Sequence, residues 1–190
     1  MLSTLFDSIT FSKTDFTHEH LCKGEYDNCI FSGCNFSNVS LNDYVFLDCT
    51  FNTCNLSNAQ FVNTTLNTAR FIDCKLLGVH FENCNSIGFE IRCENCNLTH
   101  ASFFKLSLIK TTFKNDKCIE TDFTECDLTG SIFDNCDLSG ALFNRTKLEK
   151  ADFVSSFNYC IDPEKNRLKS ARFSEDGIKG LLYKHGIIVV

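Results

Sequence analysis

Thirteen cysteines in 190 residues are the first candidates for chemistry. Thiols can pair as disulfides, ligate zinc or act as nucleophiles, and each use imposes a spacing. Thirteen is odd, so at least one thiol stays unpaired within a monomer. Cys93-Glu94-Asn95-Cys96 is a CxxC without a second half, which is a weak zinc signal. Of the five histidines, His18 and His20 are neighbours, while His80, His100 and His185 are isolated. No Ser-His-Asp, Cys-His, HExxH, P-loop or GxGxxG arrangement occurs. The remaining candidates are acids. Asp116, Glu120, Asp122, Glu125, Asp127, Asp134 and Asp137 follow one another with only Lys117 opposing them. They could offer a negative surface to a basic partner, or simply be the solvated outside of the fold. The expectation is a binding protein with no catalytic residues, metal, cofactor or small-molecule substrate.

The elements that position these residues show in a five-residue beat. Every fifth residue from Phe6 to Phe81 is Phe, Leu or Tyr, sixteen beats in succession. A second run from Leu98 to Phe153 departs only at Cys118, and sixteen of the twenty Phe lie on the beat. Period five is neither the 3.6 of a helix nor the 2 of a flat strand. It fits a chain that turns a corner every five residues, so that four corners close a square coil of about twenty residues. Two positions before the beat the residue is small, as at Ala59, Ala69, Ala101, Ser131, Ala141 and Ala151. Two positions in five therefore point inward, one large and one small, and the other three are polar.

Cys29, Cys34, Cys49, Cys54, Cys74, Cys84, Cys96, Cys126 and Cys136 all fall in that small inward position. Cys34, Cys54 and Cys74 are one coil apart and should stack about 4.8 Å from each other, which does not forbid a disulfide. The better reading is a small buried apolar residue in place of Ala, in a reducing compartment. Gly33, Gly78, Gly130 and Gly140 all follow a beat by two residues and mark corners.

The beat is lost once. Phe81 and Leu98 are 17 apart, three fives plus two. Ser86 falls where Phe or Leu is expected, and Ile87, Phe89 and Ile91 alternate like the inward residues of a short irregular strand. The spacing predicts a bulge at about 84–97 joining two stacked halves of a 1–157 repeat region.

Residues 158–190 predict a distorted last coil and a cap, with Asn158 and Pro163 breaking the pattern. Ser174 reads as an N-cap with Glu175 and Asp176 in the first turn, and Gly186 as the stop. Ile178, Leu181 and Leu182 would form the apolar face of a short helix. With Ile187, Ile188, Val189 and Val190 they would cap the core, join two copies, or both.

These units resemble the pentapeptide-repeat family, whose repeat is A(D/N)LXX; "CNLSN", "CDLTG", "CDLSG" and "ADFVS" match it, and the resemblance covers residues 4–155. It implies an all-β fold, a right-handed quadrilateral β-helix, here with a short C-terminal α-helix. The tail "NYCIDPEKNRLKSARFS", and the break between "DCKLLGV" and "NCNLTHASFFKLSL", are similar to the albicidin-resistance, microcin B17 immunity and Qnr branch. That branch implies a negatively charged dimeric rod that mimics DNA and acts on DNA gyrase or topoisomerase IV. The chain departs from it in lacking a proline at the break and the long loops of Qnr coils.

The net charge of −6 disfavours nucleic acid or an anionic membrane as partner. No apolar run is long enough to span a bilayer and no secretory leader stands at the start, so a cytoplasmic location is expected. Two functional readings stand: a DNA mimic that modulates a type II topoisomerase and confers resistance to a poison, or a scaffolding β-helix with an unrelated protein partner.

Overall fold

The chain winds as a four-sided parallel β-solenoid, here described from a computed structural model over residues 4–187. The period has a backbone cause. The residue two past the beat sits in the left-handed region at nearly every corner, with φ of 50° at Asn28, 59° at Asn38, 55° at Asn58 and 65° at Gly33. Asn, Asp and Gly tolerate that region best, which explains much of the corner composition. Four such corners return the chain to its starting face one strand spacing higher.

Face I carries a four-stranded parallel sheet formed by Leu5–Asp7, Glu25–Asp27, Val45–Leu47 and Thr65–Asn67. Face II carries seven strands, beginning at Thr10–Ser12 and continuing through Ala69–Ile72, Ile91–Glu94 and Thr112–Lys114 to Ile132–Asp134. Faces III and IV are held by single parallel bridges such as Asn35–Asn55 and Ser102–Asp122.

Beat residues fill the interior as columns. On face II, Phe11, Phe31 and Phe51 stack with ring centroids 4.9 and 4.8 Å apart, and Phe113, Phe133 and Phe153 do so at 5.0 and 4.8 Å. Phe31, Phe51, Phe113 and Phe133 are fully buried. Offset stacks of this kind add to the area term.

The small inward position does more than fill space. The thiols of Cys49, Cys54 and Cys74 donate to the carbonyls of Tyr26, Phe31 and Phe51 in the coil below, at 3.3, 3.2 and 3.3 Å. Thr64, Thr121, Thr146 and Ser156 repeat the bond with hydroxyls at 2.6, 2.8, 2.9 and 2.7 Å. The slot thus favours a small donor, which Ala cannot supply. All thirteen cysteines are free thiols, and only Cys22 and Cys160 are exposed. Burial pushes the thiols of Cys49, Cys84 and Cys126 up to about 12.

The register break is a two-residue insertion in the turns ahead of Ile91–Glu94, a strand that pairs without interruption with Ala69–Ile72, and it differs from the expected bulge in further respects. The coil there holds 22 residues, so Phe71 pairs with Cys93 and Cys93 with Phe113. Cys93 is therefore a beat residue, and the second run starts five residues before Leu98. Ile87 does not point inward: it is 82% exposed, while Phe89 turns back onto the core and Ile91 takes the small inward position beside Ala69. Ser86 is exposed rather than set in a core slot. The two extra residues are expelled at the corner where Gly88 has φ 72°.

At the C-terminal end the last coil is irregular. Tyr159 and Ile161 are buried where the beat fails, and Asn166 fills an inward position by donating to the Phe143 carbonyl at 3.0 Å. The cap is three short helical turns, Asp176–Ile178, Lys179–Leu182 and Tyr183–His185, closed by Gly186 at φ 61°. Ser174 accepts from the Gly177 N–H at 3.1 Å, as an N-cap should.

Candidate partner-binding faces

The sequence cluster of seven acids does not form one surface. It spans about one coil, so the winding distributes it round the perimeter. Asp122 lies on face IV, Asp127 on face I, Asp134 on face II and Asp137 on face III, with Glu120 and Glu125 at the corners either side of Asp122. Asp116 is not a surface residue. It occupies the small inward position above Cys96 and is 1% exposed. Its Oδ1 accepts from the Cys96 N–H at 2.6 Å and its Oδ2 from the Lys114 N–H at 3.1 Å. Burial pushes its carboxyl up to about 9 despite those bonds, so at neutral pH it is protonated and adds no surface charge.

Three of the other six acids meet a partner in the adjacent coil. Asp127 pairs with Lys147 at 2.8 Å, Glu125 with both Lys105 and Arg145, and Glu120 with His100 at 3.3 Å. Asp127 and Asp137 also accept from the hydroxyls of Thr129 and Ser139, each at 2.6 Å. These are Asx turns that shape the face. Asp122, Asp134 and Asp137 make no ion pair with a described residue.

A denser acidic face lies elsewhere. On face I, Asp7 and Asp27 stand in register in adjacent strands. Glu25 lies in the second of these strands and Asp48 at the next corner. None of the four makes an ion pair with a described residue; the nearby pair is Lys23 with Asp43, at 2.8 Å. Like charges directly opposite each other are destabilising in a sheet. The signal was present as residues twenty apart, not as a run.

The C-terminal helix divides its apolar residues. Leu181 packs on the core and Leu182 is half-buried, whereas Ile178, Tyr183 and Ile187 are exposed. Ile188, Val189 and Val190 lie outside the described residues. Among the described residues no group of three His, Cys, Asp or Glu is arranged to hold a metal, and no helix is long and apolar enough to cross a membrane.

The model of the pentapeptide repeat region matches residues 24–92, and that of pentapeptide repeats in eight copies matches residues 121–156. The chain belongs to the pentapeptide-repeat family. Among solved structures it is similar to a trypsin-treated QnrB1, described as a plasmid-mediated fluoroquinolone resistance protein. That match has a TM-score of 0.69 at 19% identity over 100% of this chain and 92% of the other. A second trypsin-treated form of QnrB1 matches with a TM-score of 0.58 at 21% identity, over 98% and 89%. At these identities the likeness is one of fold, and it fits the quadrilateral β-helix. No curated protein matches the chain.

Proposed function

We propose that the protein is a non-enzymatic DNA mimic whose N-terminal coils present face I to the basic DNA-binding surface of DNA gyrase or topoisomerase IV. The observation that carries this reading is the unpaired acidic register Asp7–Asp27 with Glu25 and Asp48 beside it. Four carboxylates on three coils occupy about 14 Å of axis at a strand spacing of about 4.8 Å. That is roughly one charge per 3.5 Å, close to the ~3.4 Å per phosphate of one DNA strand. A basic groove that binds DNA would gain the same counterion release from this face. The fold shared with a fluoroquinolone resistance protein supports a role in tolerating a topoisomerase poison. Exposed Ile178, Tyr183 and Ile187 suit a homodimer through the C-terminal helix, which would lengthen the rod.

Supercoiling and DNA-cleavage assays with gyrase, with and without a fluoroquinolone, test this. The wild-type protein should alter one or both at micromolar concentration. Asp7→Asn with Asp27→Asn and Asp48→Asn should weaken the effect at least about tenfold, and salt should weaken wild-type binding more steeply than that of the variant. An unchanged gyrase, or an equally active triple variant, refutes the reading. Sedimentation as a monomer at micromolar concentration refutes the dimer.

A scaffolding role is the second reading. It is favoured by the coil-to-coil ion pairs of the C-terminal half, which leave no continuous negative stripe there. Saturable binding to a protein other than a topoisomerase subunit would select it.

A further inference from the structure

Charged residues in register along this rod usually meet opposite charge. Glu94 faces Lys114 at 2.7 Å, Asp127 faces Lys147 at 2.8 Å, and Asp152 faces Arg172 at 2.7 Å. Among the described pairs, like charges meet at Asp7–Asp27, Lys147–Arg167 and Arg70–Arg92. Asp127 below Lys147 offsets the second. The third stands without an ion pair: Glu90 and Glu94 flank Arg92, but neither Arg70 nor Arg92 pairs with a described residue, and both are exposed.

The register break creates this pair. With the twenty-residue coil used below it, Arg70 would stand opposite Glu90. The two inserted residues replace that ion pair by a repulsive one. Two adjoining hollows open at the same place, of about 480 and 360 Å³, and they share Arg92 and Thr112. The larger is also lined by Lys110, Ser107 and Glu90, and the smaller by Arg70, Lys114 and Glu94, so four cations face two carboxylates across the two hollows. Two arginines in register on adjacent strands, with the Lys110 ammonium and the Ser107 and Thr112 hydroxyls around them, match the oxygens of a phosphate or diphosphate.

We propose that the Arg70–Arg92 pair at the register break is an oxyanion site that takes the phosphate or diphosphate group of a small ligand. The same chemistry is offered by a nucleic-acid backbone, but a rod of net charge −6 repels a long polyanion while it admits a short one. The proposal does not depend on any topoisomerase.

Calorimetric titration of the full chain with inorganic pyrophosphate in low salt, alongside a short DNA duplex, provides the test. Saturable pyrophosphate binding is expected. Arg92→Thr, which restores the Thr found at Thr50 and Thr112 in the same ladder, should weaken it at least about tenfold. Lys13→Ala, at a distant corner, should leave it unchanged. Arg92→Thr should also melt at or above the wild-type temperature without ligand, because a repulsion has gone, and should lose the upward shift that pyrophosphate gives the wild type. Absence of pyrophosphate binding overturns the proposal, as does binding by the duplex alone. A lower melting temperature for ligand-free Arg92→Thr would assign the pair a structural role and overturn it as well.

Discussion

A protonated carboxyl in a column of thiols makes Asp116 the residue with the clearest pH signature. Its folded-state carboxyl lies at about 9 against 3.8 unfolded, mainly through burial. The folded state therefore binds a proton that the unfolded state has released. The resulting stability is complete below about pH 4 and is lost as the pH rises towards 9. The slope in that window approaches about 1.4 kcal/mol per pH unit. Urea unfolding at pH 5 and pH 8 should show a marked fall for the wild type and a much smaller one for Asp116→Asn, which keeps an acceptor without the charge. Equal falls would mean that Asp116 is ionised in the fold. The inward place of Asp116 was legible, because it precedes the beat residue Cys118 by two; the acidic run around it hid that register. The thiol donors were less legible: small size and weak S–H donation select the same residue, and composition cannot separate them.

At the scale of elements, the C-terminal cap depends on glycines that the pattern of caps and apolar spacing did not single out. A Cβ on Gly180 would come 2.1 Å from the carbonyl oxygen of Tyr159, and Gly180 itself accepts from the Ile161 N–H at 3.1 Å. The helix lies against the last coil at backbone distance, so a methyl must lift it. Gly180→Ala should cost about 1–3 kcal/mol and should speed proteolysis within 174–187 before the coils below are cut. Unchanged proteolysis would show that the cap is not held there. The helix itself was readable from Ser174 and Gly186, since caps are local chemistry. Its seat on Tyr159 was not, because Tyr159 enters the core only where the five-residue beat fails. The break was similarly half legible. A two-residue excess announces an insertion, but where it lodges and which residue is expelled depend on packing, and Phe89 displaced Ile87 from the role that alternation assigned to it.

For the whole molecule, the square solenoid follows from inward positions that admit few residue types. Surface function does not, because neighbours in space are about twenty residues apart and neighbours in sequence turn to different faces. The rod that results is electrically uneven. Residues 4–48 carry seven acids against Lys13 and Lys23, while residues 165–184 hold six cations against Glu175 and Asp176. A partner that binds through the acidic coils should thus be sensitive to salt in proportion to the face I carboxylates it covers, and insensitive to changes near the cap. If face I is the proposed gyrase-binding surface, chimeras that exchange 4–48 for neutral coils of equal length should have no effect on gyrase while keeping the β-sheet circular dichroism. Retention of the effect would move the binding surface to the C-terminal half.

The inward thiols have a further consequence. Buried cysteines occur in nearly every coil from Cys29 to Cys136, each shut off from solvent by its neighbours above and below. The molecule thereby carries its own ruler. A brief pulse of an alkylating reagent marks Cys22 and Cys160 at once, and every other label records a coil that opened during the pulse. Read in order along the chain, the marks distinguish a rod that unzips from one end from a rod that parts at the seam near Cys93.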